Sequence, residues 1–358
     1  MRATSGEHFI ALDHVRALAI WLVVTWHFTH GGMGLPVPFQ YVPALPPFAL
    51  FDEGHTGVSL FMVLSGYLFA KLLDGKSVDY WQFLRNRCLR LLPLLVVMIV
   101  IVGVRLYLSG YDMAHYALVI ALGAILATLP NGGWSITIEF HFYLILPVLQ
   151  RLMRRSLLLP VLGIVLAIGL RAVIHAERGE VQSIAFWTIG GRFDQFVLGM
   201  LAWHLRAWFT RRHLLAFVVV AAFCLLYWEF DRQGGFYLIP PHSSPSRLWI
   251  ILPTLEGIAY AIAIAWYDTS FVHPHAGVSR LLGRIGEYSY SIYLLHFFVV
   301  FEAARLVHLY VMDISNFFVA CAWSVVFLLI MAAVGHLSFR FIEAPFLRRR
   351  KRYVAATA

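Results

Sequence analysis

The 358-residue sequence is short of charge, of lysine and of cysteine. Charged residues make up 13% of it, about half the share of roughly a quarter usual in soluble globular proteins. Among its 28 basic residues only Lys71, Lys76 and Lys351 are lysines. The three cysteines, Cys88, Cys224 and Cys321, lie in or beside apolar stretches with no paired spacing, which points to neither a disulfide framework nor a zinc site. No internal repeat is evident, and no hydrophilic block is long enough to form a soluble catalytic domain. What the sequence has instead is apolar surface. Hydrophobic residues reach 60% and the mean hydropathy is +0.75. Stretches such as 89–108, 157–173, 214–226 and 317–334 approach the roughly 20 residues that cross a hydrocarbon core about 30 Å thick. The pattern is that of an integral membrane protein; a soluble enzyme, a disordered chain and a nucleic-acid module are excluded.

Eleven apolar segments stand out: 10–28, 56–73, 89–108, 114–129, 136–150, 156–174, 186–205, 213–229, 249–267, 287–308 and 317–339. If all eleven crossed, Lys and Arg would divide almost evenly between the two faces, against the rule that retains basic residues on the cytoplasmic side. If 114–129 enters and leaves on one side or lies against other helices, 21 basic residues fall inside and 7 outside. That division predicts an all-α polytopic bundle of about ten transmembrane helices with both termini cytoplasmic. The net charge of +9 is then a topology signal rather than a sign of a nucleic-acid partner. The first apolar stretch has no small-residue cleavage site after it and reads as a retained helix. Residues 1–345 are expected to form the membrane domain and 346–358 a basic cytoplasmic tail.

Ionisable groups at membrane depth are costly, so each is a functional candidate. The first segment carries Asp13, Arg16 and His27. Asp13 and Arg16 are three residues apart and can pair on one face. Arg16 and His27 are eleven apart, close to three helical turns, so they share a face with about 16 Å of rise between them. Arg16 then lies near the cytoplasmic rim and His27 in the outer half. His27 reads either as a helix-end histidine bonded to a carbonyl or as a general base. Glu139, in WSITIEFHFYLILPVLQ at 134–150, reaches a similar depth, and an imidazole facing a buried carboxylate is the arrangement of an oriented base. A structural hydrogen bond is the alternative for Glu139. In RNRCLR at 85–90, Arg87 and Arg90 share a helical face with Arg85 behind them. They can hold phosphate or simply face lipid headgroups. Arg192 and Asp194 either neutralise each other or contact substrate, and His296 lies about halfway through its segment. Glu343 beside Arg340 reads as a structural ion pair, while Glu256, Glu302 and His336 carry no assignment.

Seven stretches together resemble the acyltransferase-3 family: ALDHVRALAIWLVVTWHF at 11–28, GVSLFMVLSGYLF at 57–69, FLRNRCLRLLP at 83–93, WSITIEFHFYLILP at 134–147, GRFDQFVLGML at 191–201, SYSIYLLHF at 289–297 and FRFIEAPFLR at 339–348. They cover essentially the whole chain in the family's order. The resemblance implies a ten-helix membrane enzyme, in a bacterial cytoplasmic membrane, that moves an acyl group from cytoplasmic acyl-coenzyme A, commonly acetyl-coenzyme A, to a hydroxyl of a glycan or glycolipid. By position, His27 matches the family's essential histidine, Arg16 its partner, Arg87 and Arg90 its RxxR pair, and Glu139 the first carboxylate of its WSLSVEEQFY-like stretch. Phe140 and His141 stand where a second acid and a glutamine are usual. No hydrolase-like domain follows residue 340, so hand-over to an appended domain is not expected.

The expected mechanism has Arg87 and Arg90 holding the donor's phosphates at the inner rim while the thioester reaches His27. His27, oriented by Glu139, takes the hydroxyl proton. Arg192 or Tyr143 is an oxyanion or acceptor contact, Asp13, Asp194 and His296 are supports, and no metal takes part. An acyl-histidine intermediate is the competing route. The rival from another class is a secondary transporter or flippase using the same charges as a proton or substrate path.

Overall fold

A computed structural model describes residues 9–31, 34–237 and 242–356. Residues 32–33 and 238–241 and the extremes 1–8 and 357–358 lie outside the described residues. The chain is an all-α polytopic bundle. Its helices are α1 (Ile10–His30), α2 (Thr56–Leu73), α3 (Tyr80–Leu108), α4 (Met113–Leu122), α5 (Trp134–Arg155), α6 (Leu158–Arg178), α7 (Ile189–His204), α8 (His213–Arg232), α9 (Leu252–Ser270), α10 (Gly277–Glu287), α11 (Ser289–Phe298), α12 (Val300–Val311) and α13 (Phe317–Leu347). Side-chain oxygens cap several N-termini: Asp79 accepts from the Gln82 amide at 3.0 Å, Asp112 from Ala114 at 2.8 Å, and Asn316 from Phe318 at 3.0 Å.

Among the described residues six helices, α2, α3, α5, α6, α8 and α13, are long and apolar enough to cross a membrane. The pair α11 and α12, bent by 61°, makes a seventh if taken as one broken span. Helix α1 has the length, but Asp13, His14, Arg16, His27 and His30 dilute its apolar face. Helix α7 has only 16 residues and α9 bears Glu256 and Asp268, so among the described residues six or seven helices qualify against the ten expected from the sequence. Helix α4 has 10 residues, about 15 Å of rise, half the hydrocarbon thickness. The 114–129 segment therefore does not span as a helix.

Burial sorts the bundle into a centre and a ring. The apolar window of α2 is 78% buried, whereas those of α3, α6 and α8 are 28%, 22% and 28% buried. Ring helices turn Val96, Val100, Val104, Leu162, Leu166 and Phe217 outward, as lipid-facing helices do. At the centre α2 crosses α7 so closely that a Cβ on Gly66 would lie 2.0 Å from the Phe196 carbonyl oxygen. A Cβ on Gly199 would lie 2.0 Å from that of Val63. Paired small residues are how membrane helices bring backbones together. This crossing seats α1, α2 and α7 side by side and fixes the polar residues they carry.

On the face that holds the basic clusters, a short strand β1 (Lys76–Val78) pairs antiparallel with β2 (Val354–Ala356), Val78 opposite Val354. The segment expected to hang as a separate tail is thus fastened to the body.

Candidate functional site

Helix α1 is an unbroken rail with Arg16 near one end and His27 near the other. At the Arg16 end a partly open cavity is lined by arginines from two helices, Arg16 from α1 and Arg87 and Arg90 from α3. Ser65 of α2, Ser135 and Glu139 of α5, and Ser289, Tyr290 and Tyr293 of α11 complete its polar lining. Residues 87 and 90 share a face because they are one helical turn apart, and Arg85 does not share it. Arg85 is exposed and lines a different, apolar groove with Pro93 and Phe346. Arg16 pairs with Asp13, as their spacing predicts. Arg87 is 6% exposed, and its Nε is buried without a hydrogen-bond partner. Its guanidinium lies 5.2 Å from the Phe69 ring and 5.5 Å from the Phe83 ring. Glu139 accepts from the Tyr143 hydroxyl and from Ser65 at 3.4 Å. It belongs to the arginine cavity, and no hydrogen bond or ion pair joins it to His27.

The partners of His27 come from its own helix and from α11. Its Nδ1 donates to the Val23 carbonyl at 2.8 Å, one turn back. A carbonyl can only accept, so the proton is on Nδ1 and the lone pair of the neutral imidazole is on Nε2. No hydrogen bond occupies that Nε2 among the described residues. The Nδ1 also lies 3.4 Å from Nε2 of His296, whose own Nδ1 donates to the Ile292 carbonyl at 3.1 Å. The two imidazoles sit with centroids 5.0 Å apart, tilted by 64°. Phe297 and Trp26 pack on His27 at 4.5 and 4.8 Å. Tyr293, which lines the cavity, is one turn before His296 with ring centroids 6.1 Å apart. A chain of rings therefore runs from the cavity through Tyr293 and His296 to His27. Beyond His27, half-buried Trp26 stacks on Tyr237 at 5.6 Å, and Tyr237 meets Phe39 at 4.5 Å.

Arg171, Arg192, Asp194 and Glu256 form a buried network apart from the cavity, in which Arg192 Nη2 and Asp194 Oδ1 have no hydrogen-bond partner. Asp194 does not neutralise Arg192; it pairs with Arg171 of α6 at 2.7 Å, both fully buried, and accepts from Thr254 at 2.5 Å. Arg192 donates instead to the Phe186 carbonyl at 2.9 Å and to Ser59 at 2.6 Å. The reason is direction: two residues apart on a helix, Arg192 and Asp194 point about 200° apart. Glu256, unassigned from sequence, accepts from Thr56 at 2.8 Å, Tyr227 at 2.5 Å and Gln195 at 2.9 Å. Glu343 accepts from Ser291 and makes no ion pair with Arg340. Among the described residues no three His, Cys, Asp or Glu side chains are grouped to hold a metal ion.

Sequence reasoning missed Ser65, Tyr290 and Tyr293 as cavity residues and Arg171 as the partner of Asp194. Only the SYSIYLLHF stretch signalled the tyrosines, and Arg171 follows the apolar run 158–170 of α6, a signal left unread.

Against known proteins, the chain aligns with "Putative O-acetyltransferase SACOL0978" of Staphylococcus aureus strain COL at 25% identity, over 94% of this chain and 56% of that protein. It aligns with "O-acetyltransferase OatA" of S. aureus strain NCTC 8325 at 25% identity, over 96% of this chain and 58% of that one. The chain thus spans a little over half the length of these relatives. No solved structure matches. The family model described as an acyltransferase domain matches residues 9–333, nearly the whole bundle from α1 into α13, so the chain belongs to the acyltransferase-3 family of membrane acyltransferases.

Proposed function

We propose that this membrane acyltransferase moves an acyl group, acetyl in the first instance, from acyl-coenzyme A on the cytoplasmic side to a hydroxyl of a cell-envelope or exported carbohydrate, with His27 as general base. The observation that carries the reading is the α1 rail. One end lies in a cavity with surplus cationic donors, and the other presents an imidazole nitrogen with its lone pair unclaimed. Guanidinium groups from Arg16, Arg87 and Arg90 suit phosphate oxygens, and the buried Arg87 Nε lacks a partner that a phosphate would supply.

The thioester arm extends past Tyr293 towards His27. Nε2 of His27 removes the proton of the acceptor hydroxyl as that oxygen bonds to the thioester carbonyl carbon. The C–S bond then breaks, and the departing thiolate recovers the proton from His27. The Val23 carbonyl holds the base in the required tautomer, and His296 flanks the same Nδ1. These two do the work that the sequence had allotted to Glu139. Glu139 serves the donor cavity, where its carboxylate sits among the arginines with Tyr143. Arg192 is held by Ser59 and the Phe186 carbonyl inside the buried network and is a support rather than an oxyanion contact. On the acceptor side the half-buried rings of Trp26, Tyr237 and Phe39 offer faces for the apolar face of a sugar.

The test is acetyl transfer by the purified, membrane-reconstituted protein from acetyl-coenzyme A to envelope carbohydrate, with mass spectrometry of the product. His27→Gln is expected to abolish transfer while binding of coenzyme A persists. Undiminished transfer by that variant would remove His27 from the chemistry.

A further inference from the structure

A second cavity opens where α2, α3 and α5 reach the face that carries the basic clusters. Leu73 ends α2 on one wall, Phe83 of α3 and Pro147 of α5 supply others, and Lys76, Arg151 and Arg154 line it as well. Three cations and no carboxylate share that lining. The arginine cavity draws on the same three helices one turn further in. Phe69 stands four residues before Leu73, and Arg87 four after Phe83, spacings that keep each pair on one helical face. On α5, Tyr143 is four residues from both Glu139 and Pro147. The two cavities are therefore successive compartments of one seam. A single layer of rings divides them: Phe69, Phe83 and Tyr143 meet one another with centroids 5.4, 5.4 and 5.6 Å apart. The Arg87 guanidinium lies 5.5 Å from the Phe83 ring on the inner side of that layer.

The frame of this vestibule is fixed. Strand β1, which carries Lys76, is paired along its length with β2, and Arg154 Nη2 donates to the Lys76 carbonyl at 3.0 Å. The Tyr80 hydroxyl donates to the Tyr143 carbonyl at 2.9 Å and ties α3 to α5. Arg154 thus helps to build the frame, whereas the Lys76 ammonium and the Arg151 guanidinium make no hydrogen bond or ion pair among the described residues. The acids nearest in the chain are engaged elsewhere: Asp74 accepts from the Trp203 indole at 3.0 Å, and Asp79 caps α3. Two uncommitted cations on a rigid frame with no acid opposite are completed by a phosphate, which takes a point charge from lysine and a fork of donors from arginine.

The geometry points to this vestibule as a second phosphate subsite, where Lys76 and Arg151 hold the 3′-phosphate of the nucleotide thioester while its diphosphate lies with Arg87 and Arg90. The proposal rests on the reading of the arginine cavity as the acyl-coenzyme A site. A donor that occupies both compartments parts the ring layer at Phe83, which borders the vestibule on one side and the Arg87 guanidinium on the other. Arg151 is exposed at the rim, so a lipid headgroup phosphate is the other source of the same chemistry, and the experiment separates the two.

The experiment measures the donor KM of the full-length protein, reconstituted in phosphatidylcholine vesicles, with acetyl-coenzyme A and with acetyl-dephospho-coenzyme A, which lacks only the 3′-phosphate. Arg151→Gln and Lys76→Gln, on separate elements, should each raise the KM for acetyl-coenzyme A about tenfold or more, as for loss of a hydrogen bond to a charged group, with kcat within about twofold. With the dephospho donor the unaltered protein should show a similarly raised KM, and neither variant should raise it further, because the lost partners belong to one contact. Arg155→Gln removes equal charge from α5 outside the vestibule and should leave both values unchanged. Equal losses on the two donors, no loss on either, or a matching loss from Arg155→Gln would each overturn the subsite. So would an Arg151-dependent rise in melting temperature on adding phosphatidylglycerol with the donor KM unmoved, which would assign the site to a lipid headgroup. Absence of coenzyme A binding by the unaltered protein would instead overturn the donor-site reading beneath it.

Discussion

The inner cavity and the outer buried network hold the same kinds of side chain to different ends. In the network two cations, Arg171 and Arg192, meet two carboxylates, Asp194 and Glu256, within a mesh of hydroxyl and amide donors. At the cavity three guanidinium groups, Arg16, Arg87 and Arg90, share the lining with one carboxylate, Glu139, to which Tyr143 donates, and Asp13 pairs with Arg16 from beside it. Burial of an unpaired charge in a bilayer costs several kcal/mol. A balanced cluster is therefore what stability alone selects, while a cationic surplus persists where a ligand completes it. The comparison separates intramembrane charges that hold the bundle from those that serve chemistry.

The sharpest way to break this distinction is to cut the balanced side. Arg171→Met strands Asp194 in the core and should destabilise the fold by about 3–5 kcal/mol, read as a loss of thermal stability in detergent. Any folded fraction should keep the donor KM of the unaltered protein. Next in size, Arg87→Ala should spare the fold and raise the donor KM about tenfold to a hundredfold, the value of a hydrogen bond to a charged partner. If Arg87→Ala unfolds the protein, or if Arg171→Met leaves its melting point untouched, the two regions are not different in kind. The smallest effect is expected at His296. His296→Ala should lower kcat about two- to tenfold, as for one hydrogen bond, with donor KM and melting point unchanged. His296→Gln, which keeps an acceptor beside His27 Nδ1, should restore part of it.

The fold was legible in the sequence to the extent that hydrophobicity speaks. The 56–73 stretch matches α2 to the residue, and charge counting favoured a model in which 114–129, where the structure has the ten-residue α4, does not cross. Breaks inside apolar runs were not legible. The 287–308 stretch holds a 61° bend between α11 and α12, and 186–205 divides at Thr188, where the hydroxyl caps α7 by accepting from Gly191 at 3.1 Å. Hydropathy is blind to both because the broken and the straight helix bury the same side chains. The site divides in the same way. The Asp13–Arg16 pair and the shared face of Arg87 and Arg90 are local spacings, and both hold. Which distant group meets His27 depends on the rotation of α5 and α11 about their axes, which depth along the membrane does not constrain. Glu139 lies in the cavity at the Arg16 end rather than beside His27.

The central claim is that the imidazole at the outer end of α1 acts on an acyl group delivered from the arginine end. Sealed inverted membrane vesicles present the cytoplasmic face outward, so radiolabelled acetyl-coenzyme A added outside meets only the inner mouth. The account predicts label on lumenal carbohydrate with the unaltered protein and none with His27→Gln, although both bind coenzyme A. Equal labelling by His27→Gln vesicles would contradict it.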